Sequence, residues 1–426
     1  MRRRILLILA FLVVLIAVFL MATDSPRVWP YRHAAQYLLL DRLGLVRPPD
    51  SSQRGTMQGV VRSSLGQPIA GARVLLPAVD GTTFSAESDA QGRYVLPDVP
   101  AGSYLPVAGA PGFADTTMRT LLGIGVAAGQ TTPLDITLSP RPLSRVSSPT
   151  DVRLSEPEAW QIEKPLPSSA IRRQISFQAD SRSNQLTFLY TPNDGATTPL
   201  PTLLAVYPGS ADTWESVSLP LAQAGYAVIA VGPAYALDLE SDVDDLQRMV
   251  DLARSGALPR ADGSRIGVLA GSYSGLHVLR LAVRAPDVLD SALLLGPPTD
   301  LFELRRLFEE GSFFPPFGLD QALIALGLPD RMPERYWRYS ARYHARDLNI
   351  PLMLIHSKED EVVPFTQSQL LADELQRLGK PHELHILEGM GHYLLATERT
   401  PAIDDLFNTT LDFFDRTLRQ PGATDR

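Results

Sequence analysis

The hydrophobic pattern divides the chain into stretches of different rhythm. From Ile5 to Ala22 apolar residues run without interruption and leave no polar face. As a helix this run is about 27 Å long, close to the hydrocarbon thickness of a bilayer. Within residues 24–55, "YRHAAQYLLLDRLGL" has the spacing of a short amphipathic helix. Between Met57 and Leu138 the rhythm changes to short apolar stretches separated by turn residues. Val60–Val61, Ala72 to Leu76, Tyr94 to Leu96, Tyr104 to Ala108 and Leu134 to Leu138 are the strand candidates. Their spacing predicts a small β-sandwich over 56–139. Residues 140–168, with "SPRPLSRVSSPTD", are rich in Pro, Ser and Glu and predict a linker.

From 169 to 420 strands and helices alternate. "ISFQAD" and "LTFLYTP" predict an opening hairpin, followed by "TLLAVYP", "YAVIAVG", "RIGVLAG", "SALLLG", "PLMLIHS" and "HELHILEG". Such continuous Val, Ile and Leu runs suit strands covered on both faces. Stretches such as "DVDDLQRMVDLARSG" and "FTQSQLLADELQRLG" carry helical spacing. The expected fold class is therefore α/β with a mostly parallel sheet, preceded by an all-β sandwich and an N-terminal transmembrane helix over 1–23. About 55 residues separate two of the core strands, long for a plain crossover. This insert, about 298–345, predicts helices capping a site. Phe313, Phe314, Phe317, Tyr336 and Trp337 are candidates either to line an acyl or aromatic pocket or to pack the insert on the body.

Composition narrows the partners. A net charge of −8 and the lack of a basic patch argue against nucleic acid. The chain has no cysteine, which excludes thiolate nucleophiles and cysteine-based metal sites. Arg2, Arg3 and Arg4 precede the apolar run and predict a signal anchor with the bulk of the chain outside the cytoplasm. A cut after Ala22 would place Leu20 at the −3 position, a poor site, although cleavage there would give a secreted protein.

The candidate chemistry begins at "AGSYSG", residues 270–275. The literal G-x-S-x-G window is centred on Tyr273 rather than on a serine. Its setting, strand then sharp turn then helix, is that of a nucleophile elbow. Residues two before and two after the nucleophile approach closely there and must be small. Ser272 satisfies this with Ala270 and Ser274, whereas Ser274 would bring in the bulky Leu276. Tyr273 has little precedent as a nucleophile. Ser272 is the expected nucleophile, with Gly275 giving the following helix room against the sheet.

A serine hydroxyl needs a base, and the base an orienting carboxylate. "PLMLIHSKEDEVVP" is a strand running into an acidic loop, and Asp360 lies where the strand's carboxyl end opens onto the sheet rim. Glu359 and Glu361 read as solvated loop charges. His392 follows the next strand after a glycine turn, 32 residues beyond Asp360. His382, His385 and His277 read as structural, and His356 as a support of the acid loop. The order Ser272, Asp360, His392 differs from the trypsin and subtilisin orders. For the oxyanion hole, the backbone N–H of Tyr273 is one expected donor. The second is expected from the loop "YPGSADTW"; Pro208 has no N–H, which leaves Gly209 or Ser210, with Ser210 preferred.

Two resemblances follow. "GQPIAGARVLL", "SDAQGRYVLPDVPAGSY" and "APGF" resemble the carboxypeptidase regulatory-like (transthyretin-like) domain and imply an accessory or stabilising module. "AGSYSG", "DLNIPLMLIHSKEDEVVPFTQSQLLADEL" and "LEGMGH" resemble the α/β-hydrolase superfamily, nearest its dienelactone-hydrolase and prolyl-oligopeptidase-like branches. That resemblance implies a serine hydrolase with a Ser-His-Asp triad, needing no metal or cofactor, acting on a small ester or peptide. The stretch before the hydrolase region reads as a sandwich rather than a propeller, which favours an esterase or small-substrate peptidase over a size-gated oligopeptidase. The competing expectation is a catalytically silent hydrolase-fold surface binding protein, motivated by the nonstandard elbow flanks and by Tyr207–Pro208.

Overall fold

The computed structural model describes residues 52–419, apart from 118–122, 143–145, 180–181, 184–185, 207–209, 232–238, 315–322, 324–325 and 393–397. Before residue 52 it describes only scattered positions, among them 11–16 and 42–44. More than half of the expected amphipathic helix and most of the expected transmembrane helix therefore lie outside the described residues. Among the described residues no helix is long and apolar enough to cross a membrane.

The chain forms two compact units. The first comprises the residues up to Arg141 together with Leu301–Trp337. Its β-rich part holds ten strands, β1 (Arg54–Ser63), β2 (Arg73–Pro77), β3 (Thr83–Glu87), β4 (Arg93–Pro100), β5 (Gly102–Tyr104), β6 (Val107–Gly109), β7 (Thr116–Thr117), β8 (Ile124–Val126), β9 (Thr131–Pro133) and β10 (Ile136–Leu138). One sheet runs β10-β1-β4, with β9 also on β1; another runs β3-β2-β6-β7; β5 and β8 form a ribbon. The alternation read from the sequence is visible in β4, where Tyr94 and Leu96 are buried while Arg93 and Val95 are exposed. Inward residues of the sheets, such as Met57, Val61, Val74, Leu76, Tyr94 and Ile136, share one core. Glycine is needed where β1 meets the segment before β10: a Cβ at Gly59 would stand 1.8 Å from the Leu134 carbonyl oxygen.

The insert leaves the α/β region at Asp300 and folds as part of this β-rich unit. Gly81, on the β2–β3 turn at φ +94, lies against the helix Leu301–Glu309; a Cβ there would be 2.4 Å from the Phe302 carbonyl oxygen. Trp337 packs on Gly109, and Tyr336 stacks on Phe302 at 5.2 Å between ring centroids. Phe302, Phe313, Tyr336 and Trp337 are all buried. Of the five aromatics weighed above, Tyr336 and Trp337 therefore pack within the β-rich unit rather than on the α/β body. Phe314 is exposed, and Phe317 lies outside the described residues.

The second unit, Pro142–Asp300 with Arg338–Arg426, is built on an 11-stranded sheet. Its strands are β11 (Thr150–Leu154), β12 (Glu158–Ile162), β13 (Ser168–Ala179), β14 (Arg182–Ser183), β15 (Thr187–Thr191), β16 (Leu200–Val206), β17 (Ala227–Val231), β18 (Ala261–Gly271), β19 (Ser291–Leu295), β20 (Leu352–Ser357) and β21 (His382–Leu387). The order is β11-β13-β15-β17-β16-β18-β19-β20-β21, with β12 and β14 also pairing with β13. β17 through β21 pair in parallel, while β13, β15 and their partners are antiparallel. The stretch read as a linker therefore contributes two strands, β11 and β12. Its Pro- and Ser-rich ends hide the short patterns "TDVRL" and "EAWQI", which gain partners only from β13.

The apolar runs are buried on both faces because helices cover both. Leu204, Val268 and Leu354 pack with the helices Leu239–Arg254, Ser274–Arg284 and Thr366–Arg377. Their neighbours Leu203, Leu269 and Ile355 point the other way, against Glu215–Gln223 and Pro401–Phe414. This period-two division is what a strand requires. The last helix starts cleanly, with Pro401 at its first turn and the Thr400 hydroxyl accepting the Ile403 N–H at 3.3 Å. The strand order reverses between β16 and β18, and in open α/β sheets it is outside the strand carboxyl ends at such a point that ligands bind.

Candidate active site

Ser272 follows β18 directly. Its backbone adopts φ +51, a conformation that costs a non-glycine residue free energy and persists only where the surroundings enforce it. Three hydrogen bonds do so. The Ser272 N–H donates to the Leu295 carbonyl at 2.7 Å, and the Ser272 and Tyr273 carbonyls accept from Gly275 and Leu276 at 2.9 and 3.1 Å. The flanks are as small as the turn demands: Ala270 and Ser274 are both fully buried. Gly275 gives way to Pro297, whose Cβ would lie 2.6 Å from an added Cβ.

Three loops converge on this serine. His392, after β21, has its Nε2 2.8 Å from Ser272 Oγ and its Nδ1 2.7 Å from Asp360 Oδ2. Asp360, after β20, accepts the Val362 and Val363 N–H groups on Oδ1 at 2.9 and 2.7 Å. Both side chains are well shielded, at 6% and 3% exposure. Burial alone would raise the Asp360 pKa. Hydrogen bonds from His356, His392 and the Val363 N–H outweigh it and hold the carboxyl well below the usual carboxylate range. An ionised Asp360 fixes the proton of the neutral imidazole on Nδ1, leaving Nε2 to accept from the Ser272 hydroxyl.

The neighbours of Asp360 do more than expected. Glu359 and Glu361 are exposed, as the sequence suggested. Each nevertheless accepts a backbone N–H from the loop carrying the histidine: Gly389 to Glu359 and His392 to Glu361, both at 3.1 Å. Ser357 Oγ adds a bond to the Met390 carbonyl. Gly296, at φ +54, lies beneath the pair; a Cβ there would be 3.1 Å from Asp360 Oδ2 and 3.6 Å from the His392 ring. None of these roles had a signal in the sequence beyond the glycine at the end of "SALLLG". His277, His382 and His385 make no contact with Ser272, Asp360 or His392, although the His277 ring packs edge-on against Tyr273 at 4.9 Å between centroids. His277 is buried 3.5 Å from Asp242, His382 Nδ1 is 2.9 Å from the Lys380 carbonyl, and His385 is 3.0 Å from Asp405.

Of the expected oxyanion donors, Tyr273 begins the turn into the helix Ser274–Arg284 with helical φ and ψ. Ser210 is extended, precedes the short 3₁₀ turn Ala211–Trp214 and donates its hydroxyl to Asp212. Gly209 lies outside the described residues. The loop carrying them leaves β16, whose Val206 is in register with Ala270 of β18. The donor loop and the elbow are therefore adjacent by strand order.

Several known proteins are similar to this chain in sequence or fold. Uncharacterized peptidase YuxL of Bacillus subtilis (strain 168) is 25% identical over 211 residues, 45% of this chain; the alignment spans 31% of that relative's length. Among solved structures, a Pyrococcus horikoshii acylaminoacyl peptidase matches 82% of this chain and 55% of its own, at 17% identity and a TM-score of 0.49. Thermogutta terrifontis Est2, a thermophilic esterase solved with propionate bound, matches 56% of this chain and 92% of its own, at 18% identity and a TM-score of 0.43. The family model of the carboxypeptidase regulatory-like domain matches residues 56–139, and that of the prolyl oligopeptidase family matches residues 236–421. The second match supports the serine-hydrolase class expected from the sequence. Residues 56–139 are thus similar to the carboxypeptidase regulatory-like domain, and residues 236–421 to the prolyl oligopeptidase family.

Proposed function

We propose that this protein is a serine hydrolase that cleaves carboxylic ester or small peptide and amide bonds through an acyl-enzyme on Ser272. The observation that carries the reading is the continuous contact from Ser272 Oγ to His392 Nε2 and from His392 Nδ1 to Asp360 Oδ2, at 2.8 and 2.7 Å. Ser272 Oγ attacks the carbonyl carbon while His392 Nε2 takes its proton. The imidazolium returns that proton to the departing alcohol or amine as the carbon–heteroatom bond breaks. Water then repeats the sequence on the acyl-serine, releasing the acid. Asp360 stabilises the imidazolium and stays ionised throughout. The negative oxygen of each tetrahedral intermediate is met by the Tyr273 N–H and by a donor of the Gly209–Ser210 loop. A silent binding role would not require a strained serine aligned with an imidazole and a carboxylate.

A fluorophosphonate probe tests the reading on the full chain. Labelling is expected in the parent and absent in Ser272→Ala, with a loss of at least about 1,000-fold in rate for His392→Ala. Equal labelling of Ser272→Ala would refute it. A panel of short esters and aminoacyl amides then separates esterase from peptidase. Ile5–Ala22 is proposed to anchor the chain, with Arg2–Arg4 on the cytoplasmic side. External protease on intact cells is then expected to release the hydrolase domain; protection would reverse the orientation.

A further inference from the structure

His356, the last histidine before the acid loop, touches the proposed catalytic carboxylate. It is the penultimate residue of β20 and is buried, at 1% exposure. Its Nε2 lies 2.9 Å from the Val363 carbonyl and 3.2 Å from Asp360 Oδ2. Its Nδ1 lies 2.7 Å from Ser368 Oγ, itself fully buried on the helix Thr366–Arg377. The edge of the Phe365 ring closes the side at 5.8 Å between centroids.

These contacts fix the ring's tautomer. A carbonyl oxygen only accepts, so Nε2 carries the proton. In the neutral ring Nδ1 must then accept, and the Ser368 hydroxyl donates to it. The Nε2–H is consequently shared between Val363 O and Asp360 Oδ2, the same oxygen that receives His392 Nδ1. Both carboxylate oxygens are therefore held from two sides: Oδ1 by Val362 and Val363, Oδ2 by His392 and His356.

We propose that His356 is a positioning residue for the triad, extending it inward as Ser368–His356–Asp360–His392–Ser272. It aims Oδ2 at His392 and draws off part of that oxygen's charge. Ser368 keeps the ring in the tautomer that presents an N–H to the carboxylate; the opposite tautomer would set a lone pair against two oxygens. The inference rests on the proposed roles of Ser272, His392 and Asp360.

The test is the second-order rate of fluorophosphonate labelling against pH, in the full chain, for the parent, Ser272→Ala, His356→Ala, His356→Gln and Ser368→Ala. A parent that does not label, or a Ser272→Ala variant that does, overturns the underlying reading. With that reading standing, His356→Ala is expected to slow labelling about 10- to 100-fold with little change in probe affinity. Removing a donor from Oδ2 leaves more charge facing His392, so the acid limb of the profile is expected to move upward, by about half a pH unit. His356→Gln places an amide N–H near the Nε2 position and is expected to return the rate to within about threefold of the parent. Ser368→Ala, which leaves the carboxylate's own partners in place, is expected to shift the limb in the same direction by less. A folded His356→Ala with parental rate and limb would overturn the proposal. So would a His356→Gln variant no better than alanine, or, should His356→Ala not fold, a Ser368→Ala profile identical to the parent's.

Discussion

A single carboxylate shows how local bonding sets behaviour at this site. Asp360 is shielded from water, yet its bonds to His356, His392 and the Val363 N–H hold its pKa below the ordinary carboxylate value. It therefore remains ionised through mildly acidic pH, and the acid limb of activity is not expected to report protonation of Asp360. The sign for stability follows from the same depression. Ionised Asp360 favours the folded state fully above its unfolded value, about pH 4, and that contribution is lost as pH falls through the lower folded value. Urea unfolding of the parent and of Asp360→Asn between pH 3 and 7 checks this. The stability difference between the two is expected to shrink toward the acid end, and a constant difference would contradict it.

At the scale of elements, the elbow is a strand end and a helix start forced close together. Ala270 is buried beneath it and pairs in register with Val206 and Leu294. Ala270→Val adds two methyl groups where neither neighbour can retreat, at a cost of about 1–3 kcal/mol. The expected outcome is a melting temperature lower by several degrees and loss of probe labelling, since Ser272 can no longer hold its positive φ. Full labelling in a folded variant would remove Ala270 from the elbow. The acid and base loops form a comparable element, tied together by Glu359, Glu361 and Ser357.

On the scale of the whole molecule, the insert between β19 and β20 belongs to the unit of the β-sandwich. The close approach at Gly81 gives a way to test how firmly it is held. Gly81→Val would push a side chain into the backbone of the helix Leu301–Glu309, at a φ that valine avoids. Hydrogen exchange is expected to rise across 301–313 and in β2 and β3, with no change in the helix Leu239–Arg254. Unchanged protection in the insert would mean that Gly81 does not hold it.

Much of this was legible along the chain because it is written in local patterns. Continuous apolar runs marked the parallel strands, turn spacing marked the sandwich, and small residues around Ser272 marked the elbow. The order Ser272, Asp360, His392 placed three side chains at the carboxyl ends of strands. What only tertiary structure decided depends on neighbours distant in sequence. β11 and β12 are too short and too polar to read as strands until β13 pairs with them. Glu359 and Glu361 look like any exposed acids until a loop 30 residues away presents its N–H groups to them. The packing of Tyr336 and Trp337 was fixed by where the insert folds, because an aromatic side chain carries the same apolar signal whether it faces a ligand or a glycine of another domain.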